Sequence, residues 1–109
     1  MLTAEAKRRM LETLRDAILE AGWGTSGAEG ASALTNPRYT TSLYKAVQGE
    51  TLVVEYVIHL TAGSYTVREV GLFGRDANGN RVLLWRTTRD PVTLTPPVVV
   101  RDRVELSLG

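Results

Sequence analysis

No cysteine occurs anywhere in the chain, which excludes disulfide staples and thiolate metal ligands. Histidine is nearly as scarce. The one copy, His59, has no second imidazole to complete a metal site and no nucleophile and acid at motif spacing to complete a catalytic one. It reads as a polar residue on the wetter face of a strand. An excess of charge of one sign is missing too: 13 Lys and Arg stand against 12 Asp and Glu, for a formal net charge of +1. Nucleic-acid binders gather basic residues into a patch or stripe. Here Arg86, Arg89, Arg101 and Arg103 are interleaved with Asp90, Asp102 and Glu105, which predicts a solvated, salt-bridged face and no nucleic-acid partner. No apolar run approaches the length that spans a bilayer, so no membrane partner is expected. Lys7, Arg8 and Arg9 lead into alternating charged and apolar residues, not into the hydrophobic segment of a signal peptide. The expectation is a soluble chain made in the cytoplasm.

Catalytic motifs are equally thin. Gly22, Gly24, Gly27 and Gly30 match neither a P-loop nor a dinucleotide fingerprint, because no strand and no Gly-Lys-Ser/Thr accompany them. Ser26 lacks the strand–turn–helix context of a nucleophile elbow. Glu55 and Glu69 can be pictured as an acid/base pair, but carboxylates flanked by apolar strand residues are commoner as salt-bridge partners. The sequence therefore predicts no enzyme, no metal and no cofactor.

What is present is a pattern of secondary structure. With 109 residues, 43% of them hydrophobic, the chain suits one domain with a modest core. Its first 22 residues read as a helix: Thr3 is an N-cap, Glu5 favours the positive helix start, and Glu5–Arg9 and Arg8–Glu12 are spaced four apart. Ala6, Met10, Leu14, Ala17, Ile18 and Ala21, widened by Leu11, form the apolar stripe, and Gly22 is placed as a C-cap. That stripe packs on the domain's own sheet or partly on another subunit. Residues 23–43 form a Gly-rich loop, of a length usually reserved for functional or interaction segments. Trp23 within it either caps the domain's own core or anchors a partner.

From residue 44 to 109 the chain is β. Leu52, Val54, Tyr56, Ile58 and Leu60 alternate with Thr51, Glu55 and His59, while Val53 and Val57 suggest that the second face is partly covered. Tyr65–Gly74 and Arg81–Arg86 flank an Asp-, Asn- and Gly-rich turn, a hairpin with Asn78-Gly79 as its signal. Asp90-Pro91 and Pro96-Pro97 set off a short edge strand, Val92–Leu94. A last strand places Val98, Val100, Val104, Leu106 and Leu108 on one face. Asp102 breaks that row, as a bulge, a hydrogen-bonded buried carboxylate or an interface position. Gly71 within its strand admits close approach of another backbone or a large side chain such as Trp85. Arg68 and Glu69 point to opposite faces, so one of them meets a partner strand or a neighbouring subunit.

The string Arg68-Glu69-Val70-Gly71-Leu72-Phe73, followed by its hairpin, resembles the signature of phage tail-fibre and baseplate-associated structural proteins. The similarity extends to Leu2-Thr3-Ala4-Glu5-Ala6 at the start of the helix and to Thr41-Ser42-Leu43 before the first long strand. The resemblance implies a non-enzymatic virion protein of a tailed phage, made in the host cytoplasm. It would serve as a tail or baseplate component or a fibre-attachment module, forming a trimer or higher ring and docking on other virion proteins. A capsid decoration protein and a carbohydrate-binding β-sandwich are the alternatives. The expected fold is α+β, an N-terminal amphipathic helix followed by an antiparallel β-sandwich of five to seven strands. The expected interface residues are Trp23, Gly24 and Arg38 from the loop region. From the strands come Arg68, Glu69, Trp85 and Arg101.

Overall fold

The computed structural model describes residues 1–108. Its one helix, α1 (Ala4–Ala17), is followed by seven strands: β1 (Glu20–Gly24), β2 (Arg38–Thr40), β3 (Leu43–Gln48), β4 (Thr51–Leu60), β5 (Tyr65–Arg75), β6 (Arg81–Leu94) and β7 (Val98–Ser107). They form two antiparallel sheets, one of four strands in the order β2-β1-β5-β6 and one of three in the order β3-β4-β7. The fold is thus the α+β sandwich that the alternation of apolar residues predicts. Among the described residues no helix is long and apolar enough to cross a membrane.

The helix starts as its sequence dictates. The Thr3 hydroxyl accepts the Ala6 backbone N–H at 3.1 Å, satisfying one of the donors left free at a helix start. Glu5 pairs with Arg9 at 2.9 Å, and Arg8 with Glu12 at 3.0 Å, along the solvent face. The end differs from expectation. Ile18 leaves the helical region (φ −77°, ψ 117°), and the Leu19 N–H donates to the Phe73 carbonyl at 2.8 Å. Residues 20–24 then join β5 as a strand, so Gly22 is a strand residue and not a C-cap. Five residues containing two glycines carry almost no period-two signal, and pairing with β5 overrides helix propensity. The Lys45 ammonium takes over the capping role by donating to the carbonyls of Arg15 (2.8 Å) and Ile18 (2.5 Å). α1 packs against β3, β4 and β5 and buries Leu11 fully, whereas Met10 and Ala17 stay exposed.

Between the sheets lie Leu52, Val54, Tyr56 and Ile58 of β4, Val70 and Leu72 of β5, and Val104 and Leu106 of β7, with Leu11, Ile18 and Trp23 closing the cluster. The hairpin turn forms as read: Gly79 has φ +79°, and Asp76 Oδ1 accepts the N–H groups of Asn78 (2.8 Å) and Asn80 (2.9 Å). Val92–Leu94 is not a separate strand. β6 continues through Pro91, with Arg89, Asp90 and Pro91 bulging opposite Arg68 between the pairs Glu69↔Thr88 and Val67↔Val92. Pro91 is tolerated because β6 is an edge, where a missing N–H costs the ladder nothing.

Candidate functional site

Each sheet has a face turned away from the core, and the two faces differ. On the four-stranded sheet, Gly22, Gly24, Glu69, Gly71 and Phe73 lie on the outward side, opposite in register to one another as Gly22↔Gly71 and Gly24↔Glu69. Outward strand residues are normally wet, yet Glu69 is 0% exposed and Glu20 6% exposed. The cover over Glu69 is the segment from residue 25 to 37, a strap that leaves β1 and returns as β2.

Glu69 holds that strap. Its Oε2 accepts the backbone N–H groups of Ser26 (3.0 Å) and Thr35 (2.8 Å), one from each limb. Its Oε1 accepts Arg86 Nε at 2.7 Å, and the other arm of Arg86 donates to the Ala28 carbonyl at 2.7 Å. The limbs also bond to each other, Thr25 N–H to the Thr35 carbonyl at 3.0 Å. Burial by itself would raise the Glu69 carboxyl pKa; the hydrogen bonds from Thr35, Arg86 and Ser26 outweigh it and hold the group ionised below its ordinary range. Gly24 is the steric condition for this arrangement, since a Cβ there would lie 2.1 Å from Glu69 Oε2.

Farther along the same face, Glu20 accepts Arg81 at 2.8 Å and Arg75 at 2.5 Å, and the Arg81 guanidinium stacks 3.7 Å from the centre of the Tyr39 ring. Tyr39 meets Phe73 edge-on. Gly71 makes room for these groups: a Cβ would meet Leu83 at 2.9 Å and Phe73 at 3.1 Å, not Trp85, which is paired with Leu72.

A second polar centre joins the two sheets. Asp102 Oδ2 accepts the Tyr56 hydroxyl (2.5 Å), Trp23 Nε1 (3.1 Å) and Arg89 (2.8 Å). Of the three readings open for Asp102, the hydrogen-bonded carboxylate is the one realised. Burial pushes the Tyr56 phenol well above its ordinary pKa; burial would raise Asp102 too, but Tyr56, the Arg103 backbone N–H at 2.8 Å, Trp23 and the Arg89 charge together lower it.

The outer face of the three-stranded sheet has no strap. Tyr44, Glu55 and Arg103 form one cross-strand row, and Val57 and Arg101 the next. Tyr44 is 59% exposed, and Arg101 has no ion-pair or hydrogen-bond partner among the described residues.

The seven residues expected at an interface are therefore scattered. Gly24 and Glu69 meet, in the strap lock. Trp23 is 1% exposed in the single chain and belongs to the core, so of its two readings the core cap is realised and the partner anchor is not. Trp85 is half-buried against that core. Arg38 stacks on Tyr65 at 4.9 Å, Arg68 is exposed at the bulge, and Arg101 lies on the other sheet. Glu69 has its ion pair with Arg86 of the next strand, and Glu55 sits on the opposite sheet, so the two carboxylates form no acid/base pair. Arg86 and Tyr44 organise these regions without having been expected at a site, and the cross-strand register reveals them, whereas Asp102 already stood out as the polar break in the last strand's apolar row. No protein-family model matches the sequence, and no curated protein matches it.

Proposed function

We propose that the chain is a non-enzymatic structural protein of a tailed-phage virion, a tail or baseplate part or a fibre-attachment module that works through repeated protein–protein interfaces. The observation that supports this reading best is the state of the sheet edges. β6 is a 14-residue edge strand with one neighbour, and it exposes Val82, Leu84 and Val92. β7, the facing edge, exposes Val99. Long edges with apolar side chains are costly to leave open and are ordinarily paired, blunted or covered. A protein that repeats around an axis covers them with its own copies. The resemblance of Arg68–Phe73 to tail-fibre and baseplate proteins agrees with this. Because Trp23 and the strap are spent inside the chain, the interface falls along β6 toward the Pro91–Pro97 corner.

Light scattering of the purified protein tests the proposal, with a trimer or larger ring expected and Val82→Lys together with Leu84→Lys returning it to monomer. A strict monomer that binds neither tail nor capsid preparations of a phage encoding it overturns the reading. Binding to capsids alone shifts it to a decoration protein.

A further inference from the structure

The unstrapped face of the three-stranded sheet carries a depression of about 280 Å³ where β3 begins, lined by Ser42, Tyr44, Glu55, Val57 and Arg101 among others. We propose that this depression binds an acidic saccharide, a pyranose ring bearing a carboxylate. The inference does not depend on the virion reading and adds to it a ligand site.

Three features of the depression select that chemistry. Tyr44 is the most exposed aromatic of the chain, with its ring on a flat strand face and no aromatic neighbour. A ring so placed offers a platform for the apolar C–H face of a sugar, with its hydroxyl at the rim. Among the described residues, Arg101 is the cation of this face that has no ion-pair partner. The neighbouring Arg103 is already engaged by Glu105 at 2.6 Å and approached by Glu55 at 4.0 Å, while Arg101 lies across Val57, one row away from that cluster. Its planar fork of donors matches a carboxylate. Glu55 and the Ser42 hydroxyl supply an acceptor and a donor or acceptor for ring hydroxyls, with the Glu55 side chain 35% exposed. Leu43, Tyr56 and Val57 give only a small apolar floor beside Ser42, Glu55 and Arg101, too little for an apolar peptide or helix, whereas a hydroxylated ring with one negative group matches the mixed lining.

The site is preorganised. Tyr44↔Glu55 and Val57↔Arg101 are ladder partners on a continuous three-stranded sheet, so binding orders no loop. The depression is shallow, and weak binding of one ring in a longer chain is the mode it suits.

The test is backbone amide shift mapping with trigalacturonate as the probe and maltotriose as the neutral control. Saturable shifts confined to Ser42–Tyr44, Glu55–Val57 and Arg101 are expected, with maltotriose weaker by about tenfold or more. Tyr44→Ala and Arg101→Ala should each weaken trigalacturonate by at least about tenfold, while Arg101→Lys keeps part of the affinity. Both side chains are exposed, so the variants keep the fold, and their unperturbed spectra verify it. Absence of saturable shifts at millimolar probe overturns the proposal. So do shifts scattered over Arg8, Arg68 and Arg103, binding that either alanine variant leaves unchanged, or equal binding of the neutral sugar.

Discussion

The two sheets of this sandwich solve the problem of an outward face in opposite ways. The four-stranded sheet covers part of its face with its own chain, and every carboxylate buried there is paired: Glu69 with Arg86 and two backbone N–H groups, Glu20 with Arg75 and Arg81. The three-stranded sheet leaves Tyr44, Arg101 and Val99 in solvent. A buried charge is tolerated only when fully hydrogen-bonded, so the covered face had to be completed internally and has little left to offer a partner. Groups without partners mark the face, and the edges, that meet something else.

The largest way to break this contrast is to remove one half of the strap lock. Arg86→Ala leaves Glu69 buried without its cation and should cost about 3–5 kcal/mol in urea unfolding. Tyr44→Ala on the open face should stay within about 0.5 kcal/mol of the parent. Equal losses at the two positions would erase the distinction between the faces. Next in size is Gly71→Val, expected to cost about 1–3 kcal/mol because the added carbons press on Leu83 and Phe73. An unchanged melting temperature there would show that this face yields freely.

Acid sharpens the comparison further. Glu69, Glu20 and Asp102 all have carboxyl pKa values held below their ordinary ones in the folded chain. As pH falls below about 5, the unfolded chain takes up protons that the folded chain still refuses, so this stability is fully present above about pH 5.5 and drains away as the pH drops further. Urea midpoints measured across the acid range should fall steadily, and the fall should be shallower in Glu69→Gln, which has one such group fewer. A parent curve that stays flat would mean that the carboxylates are not held as described. The smallest effect concerns Trp23: its emission should already be blue-shifted in the isolated monomer and should not move on assembly, because its ring is 1% exposed within one chain. A further blue shift on assembly would return Trp23 to the interface.

Much of the architecture was legible in the residues. Strand alternation in Thr51–Leu60 and Val98–Leu108, the Thr3 cap and the Asn-Gly turn are local signals, and the structure carries all of them. What local reading missed depends on register. Glu20–Gly24 has helix-compatible residues at one end and glycines at the other, and becomes a strand only because β5 lies beside it. The strap likewise reads as a formless Gly-rich loop, since the group that orders it, Glu69, lies more than thirty residues away in sequence. Even Gly24 carries its meaning only once Glu69 is placed against it. Of the two partners left open for Arg68 or Glu69, a partner strand or a neighbouring subunit, Glu69 meets the first, through Arg86 of β6, and the strap adds the rest.

Amide hydrogen exchange at Ser26 and Thr35, compared between the parent and Glu69→Ala, tests the strap lock most directly. Alanine removes both acceptor oxygens, whereas glutamine could keep one oxygen on the two N–H groups by turning its amide nitrogen toward Arg86. In the parent both amides should be protected to a degree comparable with the β5 ladder. In the variant both should exchange rapidly while the β5 amides keep their protection. Rapid exchange in the parent, or undiminished protection in the variant, would contradict the assignment of Glu69 as the group that closes this face.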